Sequence, residues 1–220
     1  MQTAPLPTAP HSSRTKVLDA ALQVIRTKGY TATSVEDICA VAGVTKGSFF
    51  HHFRSKDEMA IAAIEHWNAM TGGFFEQAPY QQLVDPRDRV LGYIDFRKEI
   101  LRGTLPDFTC LLGTLVQETF DTHPHLRQAC NCGISAHARK VGDDIARAKA
   151  LYAPGAPWDP QVLALFTQAA LQGAFILAKA QGSADIAAQC VDHLRQHVAS
   201  LLGADLSPGF SSVPTQGAQS

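Results

Sequence analysis

Hydrophobic residues recur along nearly the whole chain at the three- and four-residue spacing of amphipathic helices. After a first helix at residues 14–28, which Gly29 ends, the same pattern predicts longer helices in the second half of the chain. These predicted helices cover residues 86–102, 106–121, 126–151, 160–181 and 184–202. No alternating strand pattern of useful length occurs in the sequence. The pattern therefore predicts an all-α protein.

Short helices with strong capping residues follow the first helix. Ser34 is a good N-cap for a brief helix at residues 35–41, and Asp37 stands where a capping box has its acidic partner. Gly43 suits the left-handed conformation of a tight turn, and Thr45 then caps a helix at residues 46–53. A fourth helix begins after Ser55 and is expected to reach about residue 70, where Thr71-Gly72-Gly73 interrupts the pattern.

Two short helices joined through a glycine turn are typical of a helix-turn-helix, which places its second helix in the major groove of DNA. The segment from Thr33 to Lys56 has this form. Lys46, Ser48 and His51 can face outward to read base edges, while Phe49 and Phe53 anchor the helix from behind. Gly47 would let the backbone approach DNA closely, although glycine inside a helix costs about 1 kcal/mol.

Phosphate contacts are expected at helix starts, where free N–H groups and the helix dipole favour an anion. We expect Thr33 and Ser34 at one such start, and Ser55 and Lys56 at another, to fix the register on DNA. Charge agrees with this assignment. Residues 14–56 hold seven basic and three acidic residues, a net charge of +4 in a chain whose total is −1.

The run from Gly29 to Glu58 (GYTATSVEDICAVAGVTKGSFFHHFRSKDE) strongly resembles the N-terminal domain of the TetR family of repressors. The match spans about residues 15–59. This resemblance implies an all-α homodimer that dimerises through its last two long helices, binds a palindromic operator in double-stranded DNA, and is released by a small-molecule effector. By position in the motif it also adds contacts to DNA by Thr45, Gly47, Phe50 and His52.

Two positions depart from the family pattern. The family usually has tyrosine at the position of Phe50, and its hydroxyl often reaches a phosphate; Phe50 retains only packing or van der Waals contact. Cys39 replaces the usual alanine, a small change that we expect to be neutral.

The domain prediction is a disordered lead at residues 1–13, a DNA-binding domain at 14–58 with its connecting helix, a ligand-binding and dimerisation domain at 74–203, and a disordered tail at 204–220. The N-terminus lacks the features of a secretory signal, and no apolar run approaches the roughly 18 residues of a membrane span. The five cysteines are odd in number and unlike a secreted disulfide framework. We therefore expect a cytoplasmic protein without a membrane partner, a metal or a cofactor.

Aromatic and polar residues of the larger domain are candidates for an effector pocket. The Cys110-Leu-Leu-Gly113-Thr-Leu stretch also resembles a subgroup that senses electrophiles or small toxic organics through a cysteine, although a buried packing thiol is the alternative for Cys110. The candidate ligand-binding residues are Trp67, Tyr93, Phe96, Cys110, Gln117, His137, Phe166 and Gln172.

Small and large apolar residues alternate on the last two long helices, which favours close helix packing in a four-helix dimer interface. An intramolecular core is the alternative. The candidate interface residues are Phe166, Ala170, Gly173, Ala174, Leu177, Val191, Leu194 and Val198.

Three functions were weighed: a ligand-responsive repressor, an enzyme, and a DNA-binding activator or architectural factor without a ligand. The sequence contains no nucleophile elbow, phosphate loop or HExxH motif, so we expect no enzymatic activity. The sequence favours the repressor.

Overall fold

A computed structural model of the protein describes residues 12–204, and these residues contain helices and no strand. Most of the predicted disordered lead and tail lies outside the described residues, and the first helix already begins at Ser13. The α-helices are α1 (Ser13–Lys28), α2 (Val35–Ala42), α3 (Lys46–His52), α4 (Lys56–Glu76), α5 (Pro86–Glu99), α6 (Leu105–Phe108), α7 (Leu111–Thr119), α8 (Pro124–Tyr152), α9 (Pro160–Gln181) and α10 (Asp185–Leu201), with a 3-10 turn at Pro79–Gln82. The predicted all-α fold is confirmed.

The caps that define the helix-turn-helix form as the sequence predicts. The Ser34 hydroxyl accepts from the Asp37 N–H at 3.2 Å, and the Asp37 carboxylate accepts from the Ser34 N–H at 2.8 Å, which completes a capping box. Gly43 ends α2 in the left-handed conformation with φ 63°. Thr45 caps α3 by accepting from the Ser48 N–H at 3.1 Å. These local bonds fix the angle between α2 and α3.

One hydrophobic core joins α1, α2, α3 and α4 to two helices of the larger domain. Phe49 and Phe53 of α3 are buried in it with Ile38 of α2, and so are Leu111 and Leu115 of α7. Burying a side chain of this size contributes about 1.5–3 kcal/mol. The position of α7 is therefore coupled to the packing of the DNA-binding head.

A second core lies among α5, α8, α9 and α10. Ile94, Ile145, Leu171 and Val198 are each at most 1% exposed within it. It forms the rigid frame of the larger domain.

The structure corrects three predicted helix boundaries. First, α4 passes through Gly72 and Gly73 to Glu76, because its packing against α8 exceeds the small helix penalty of glycine. Second, the predicted helix at residues 106–121 is two helices, α6 and α7, separated by extended backbone at Thr109 and Cys110. Third, α5 ends at Glu99 rather than at residue 102.

The break between α6 and α7 is stabilised from α1. Arg26 donates from Nη1 to the carbonyl oxygens of Asp107, at 3.3 Å, and Thr109, at 3.5 Å. A continuous helix would use such carbonyls within its own ladder, so the break frees them for a charged donor.

Among residues 12–204, one helix, α9, is long and apolar enough by length and composition to cross a membrane. The sequence pattern did not predict such a helix. Less than half of its most apolar window, 44%, is buried inside the protomer. The rest is an exposed apolar face, described with the dimer residues below.

Candidate DNA-binding surface and ligand cavity

The outward face of α3 carries a compact group of exposed side chains. Lys46, Phe50 and His51 are exposed, and Ser48 is half-buried. Phe50 is 54% exposed even though it is an aromatic residue between two helix anchors. An exposed phenyl ring on a recognition helix matches contact with sugar or a thymine methyl better than a role in the core.

Two further residues of this face, Lys46 and Gly47, have informative surroundings. Lys46 forms an ion pair with Glu36 of α2, which holds the lysine beside the outward face of α3. The same lysine, by its hydrogen bond, lowers the pKa of Glu36. At Gly47 an added Cβ would meet only the Thr45 hydroxyl, at 3.7 Å, so no contact within the described residues requires glycine there. Close approach of DNA to Gly47 stays a prediction.

Thr33 and Lys56 have internal roles that the sequence did not predict. The Thr33 side chain is 2% exposed and donates to the Gly29 carbonyl at 2.5 Å, so it does not present its hydroxyl to a phosphate. The Lys56 ammonium donates to the carbonyls of Tyr30 and Thr33 at 3.1 and 3.0 Å, and it lies 4.2 Å from the centre of the Tyr30 ring. Both residues therefore hold the turn between α1 and α2. The prediction of Thr33 as a phosphate ligand is corrected, and that of Lys56 stays a prediction.

The other predicted phosphate contacts are helix caps. Ser34 caps α2, and Ser55 caps α4 by accepting from the Glu58 N–H at 3.0 Å. Their hydroxyls are used inside the protein, although both residues are exposed. His52 is half-buried and its Nε2 lies 2.6 Å from the Ser13 hydroxyl, which ties α3 to the start of α1.

A cavity of about 680 Å³ lies in the larger domain, bounded mainly by α4, α5, α8 and α9, with α1, α6 and α7 closing one end. This volume falls in the range of small-molecule sites. Its wall is mostly apolar, and aromatic side chains from four α-helices and the 3-10 turn contribute to it. Those aromatic residues are Trp67, Phe74, Phe75, Tyr80, Tyr93, Phe108 and Phe175.

Five of the eight predicted ligand residues line this cavity: Trp67, Tyr93, Cys110, His137 and Gln172. The other three lie elsewhere. Phe96 packs behind the wall on Phe74, with 5.2 Å between ring centres. Gln117 lies in a neighbouring pocket of about 210 Å³, which Cys110 and Gln172 also line. Phe166 is 46% exposed on the outer face of α9, because the helix turns that position away from the cavity.

A chain of hydrogen bonds crosses the cavity wall. Gln168 donates from Nε2 to the Tyr93 hydroxyl at 3.0 Å, and that hydroxyl lies 2.9 Å from His137 Nε2. Burial, with Arg97 and Lys140 nearby, lowers the pKa of His137 to about 4. The imidazole is therefore neutral near pH 7, and its Nε2 accepts a hydrogen bond from the Tyr93 hydroxyl. Polar groups of the wall are thus fixed in orientation.

Two arginines of the cavity were missed from the sequence. Arg26 lies 4.9 Å from the Trp67 ring centre, and burial lowers its pKa. Arg97 lies 5.2 Å from the centre of Phe75. Arg97 follows Tyr93 by four residues, which places both on one face of a helix, so the spacing to a predicted pocket residue was the available signal.

Glu118 at the far end of α7 connects the cavity region to the DNA-binding head. Its carboxylate accepts from the backbone N–H groups of Tyr30, at 3.2 Å, and Thr31, at 2.8 Å. A Cβ at Gly29 would collide with this carboxylate, and Gly29 has φ 88°. Cys110 and Leu112, at the start of the same helix, line the cavity. One short helix therefore touches both the cavity and the turn that precedes the helix-turn-helix.

The predicted dimer residues separate into two groups. Ala174 of α9 and Val191, Leu194 and Val198 of α10 are at most 4% exposed inside the protomer, so their assignment to an interface is corrected. Ala174 packs with Ala187 of α10, and the three α10 residues pack in the second core. Phe166 and Leu177 are exposed, and Ala170 and Gly173 are half-buried between them. The exposed apolar side chains of α9, here called the α9 stripe, are Val162, Leu165, Phe166, Ile176 and Leu177.

A trihelical head with a helix-turn-helix, attached to a larger helical domain with a cavity, defines a DNA-binding regulator. Residues 17–63 match the family model described as bacterial regulatory proteins, tetR family. The match covers the helix-turn-helix, so this part of the chain is similar to the DNA-binding domain of the TetR family of transcriptional regulators.

Named relatives agree with this assignment. The transcriptional regulator AcuR of Cereibacter sphaeroides is 28% identical over 163 residues, 74% of this chain and 74% of AcuR. The repressor NemR of Escherichia coli is 28% identical over 125 residues, 56% of this chain and 62% of NemR. These relatives are transcriptional regulators rather than enzymes.

Solved structures share the fold. A crystal structure of the regulatory protein TetR from Rhodobacter sphaeroides superposes with a TM-score of 0.75 at 26% identity, covering 84% of this chain and 98% of that one. A variant of the regulator CifR complexed with double-stranded operator DNA has a TM-score of 0.71 at 17% identity, covering 86% of this chain and 98% of that one. The latter supports the fold alone.

Proposed function

We propose that the protein is a cytoplasmic, homodimeric repressor that leaves its operator when an effector occupies the cavity of the larger domain. The observation that carries this proposal is α7, which lines the cavity at Cys110 and Leu112 and holds the head through Glu118. A ligand that displaces the start of α7 would also move the Tyr30–Thr31 turn. Such a coupling is the physical content of effector release.

Base reading is assigned to Lys46, Ser48 and His51, and nonspecific contact with the DNA backbone or bases to Thr45, Gly47 and Phe50. Two small heads on a dimer would contact two half-sites, which supports a palindromic operator. The α9 stripe supports dimerisation because large exposed apolar side chains on one helix face are typical of subunit interfaces.

An electrophile is a second form of effector for the same cavity. Cys110 is half-buried and lines both pockets, so a small molecule can reach its thiol. In a repressor of this kind, Cys110→Ser should abolish release by a thiol-reactive compound such as N-ethylmaleimide and leave basal operator binding unchanged. Cys190→Ser, at a half-buried thiol of α10 that lines neither pocket, is the matched control. Release that survives Cys110→Ser would assign Cys110 to packing.

The experiment that tests the proposed function begins with selection of fragments of the source genome by the purified protein. The bound fragments should share an inverted repeat, and the protein should bind it at a stoichiometry of two chains. Compounds that fill the cavity should then weaken binding to that repeat. Fragments without a common repeat, or an affinity that no cavity ligand changes, would contradict the proposal.

A further inference from the structure

Arg97 is a half-buried cation of the cavity wall that has no anionic partner among the described residues. Its guanidinium lies 5.2 Å from the Phe75 ring centre and 5.7 Å from that of Phe175. Its Nε is buried and has no hydrogen-bond partner among residues 12–204. Ring faces stabilise a cation by about 0.5–2 kcal/mol but leave its N–H donors unused.

The other charged groups of the cavity wall are already engaged. Lys140 pairs with Glu76 at 2.6 Å, and Arg26 donates to backbone carbonyls. Asp107 accepts from the Thr104 hydroxyl at 2.7 Å, and Asp144 pairs with Arg147. Within the described part of the chain, Arg97 is thus the charged lining residue whose charge is not paired.

A buried N–H donor is costly to leave unpaired, and the planar fork of a guanidinium matches the two oxygens of a carboxylate. The neighbouring groups agree with an incoming anion. His137, whose pKa is lowered first by burial and then by Arg97 and Lys140, lies in a locally positive field. Gln172, which also lines the cavity, provides an amide that can donate or accept a further hydrogen bond.

The charge and size of the occupant follow from the rest of the wall. Three carboxylates, those of Glu76, Asp107 and Asp144, also line the cavity, and they disfavour a multiply charged anion such as a phosphate ester. Aromatic rings around Arg97 favour an apolar body beside the charged group. A single negative charge on a small apolar molecule satisfies both conditions.

We propose that the effector is an amphipathic monocarboxylate whose carboxylate pairs with Arg97 and whose apolar body lies against Phe75, Phe108 and Phe175. This inference rests on the proposed role of the cavity as the effector site. It adds the chemical class of the effector and the residue that selects it.

The test is a calorimetric titration of the full-length protein, without DNA, with acids and their primary amides. The probes are propionate, hexanoate, benzoate, phenylacetate and phenylbutyrate, each beside its amide of nearly the same shape. At least one acid should bind about tenfold or more tightly than its amide, since charge-assisted hydrogen bonds are roughly twice as strong as neutral ones. Failure of every acid to bind, or equal affinity of acids and amides, would overturn the inference.

Variants of Arg97 locate the effect. Arg97→Met keeps an unbranched side chain without the guanidinium and should reduce the affinity of the acid to that of its amide. Arg97→Lys should keep part of the preference for the acid, and it provides the measurement if the methionine variant does not fold. Lys98→Met is the matched control, because Lys98 is exposed and pairs with Asp192 at 2.7 Å outside the cavity. An acid whose affinity is unchanged in both Arg97 variants would overturn the assignment.

Operator binding, followed separately by fluorescence anisotropy, distinguishes this inference from the proposed function. An acid that binds through Arg97 without changing operator affinity supports the carboxylate site and contradicts effector release. Neutral compounds that release the operator, while no acid binds, contradict the carboxylate site and support effector release.

Discussion

At the scale of single residues, the DNA-binding head divides its polar side chains between internal bonds and an outer face. Thr33 and Lys56 use their donors on backbone carbonyls of the preceding turn. Lys46, Phe50 and His51 remain exposed on α3. Hydroxyls and ammonium groups of similar chemistry therefore differ in role only through the partners that the fold brings near them.

Phe50 is the residue at which a gain of affinity is expected. Phe50→Tyr would add a hydroxyl to an exposed ring, and one new hydrogen bond to a phosphate should tighten operator binding about fivefold. Fluorescence anisotropy with a labelled operator measures it. Phe120→Tyr is the control, since Phe120 is 58% exposed after α7 and away from α3. Equal affinities of Phe50→Tyr and the unchanged protein would mean that this ring does not point toward a phosphate.

His137 should make stability depend on pH. Its pKa of about 4 in the fold lies below its ordinary value, so protonation favours the unfolded chain. The stabilisation is complete above about pH 6.5 and is lost as the pH falls toward about 4, with a loss of about 2 kcal/mol at pH 5.

The variant His137→Gln can still accept the Tyr93 hydrogen bond and cannot titrate. Urea denaturation should show a free energy of unfolding that falls less between neutral pH and about pH 5 than that of the unchanged protein, by about 2 kcal/mol. His193→Gln, on the exposed side of α10, should leave the pH dependence unaltered. Identical pH profiles for the His137 variant and the unchanged protein would contradict a buried neutral imidazole.

At the scale of elements, α7 is the short link between cavity and head. It begins at Cys110 and Leu112 in the cavity wall and ends at Glu118 beneath the turn that precedes α2. Nine residues of helix span only about 13 Å. Over this distance a packed helix moves as a rigid unit, so displacement at its start reaches Glu118.

Glu118→Gln tests this link. The carboxylate offers a separate oxygen to each of Tyr30 and Thr31, whereas the amide keeps only one acceptor oxygen, so at least one of these backbone N–H groups should exchange with solvent about tenfold faster. Hydrogen exchange followed by mass spectrometry measures it on peptides that span the turn. Glu99→Gln, at the exposed end of α5, serves as control. Unaltered exchange at Tyr30 and Thr31 would remove Glu118 from the coupling.

At the scale of the whole molecule, α9 is a helix that is apolar on both its inner and its outer side. Its inner side packs in the second core, while the α9 stripe is open in the protomer. Leu165 is 48% exposed and lies between Val162 and Phe166 in this stripe. A second copy of the chain is the occupant that dimerisation would supply.

Leu165→Glu should separate the dimer. A glutamate buried without a partner costs several kcal/mol, which corresponds to at least about a hundredfold weaker association. Light scattering should give twice the chain mass of 23.7 kDa for the unchanged protein and 23.7 kDa for the variant. Val84→Glu introduces the same charge at a residue that is 94% exposed outside the stripe, and it should remain dimeric. A dimer that survives Leu165→Glu would place the interface elsewhere.

Much of the head could be predicted from sequence because its signals are local. Ser34 with Asp37, Gly43 and Thr45 each act within a few residues, and all four adopt the expected conformations. The break before Cys110 was not predictable in this way. It is bonded by Arg26, more than eighty residues earlier, and such a distant partner is not visible in local propensity.

The same contrast holds for the functional residues and for the molecule as a whole. Capping, periodicity and motif order, which are properties of neighbouring residues, determined the all-α fold, the helix-turn-helix and the family. Only the tertiary structure decided that Lys56 bonds the Tyr30 turn, that Val198 faces the protomer core, and that Arg97 meets two aromatic rings without an acid beside it. Each of these depends on which distant helix packs against the residue, and burial and pairing between distant segments are not encoded in local spacing.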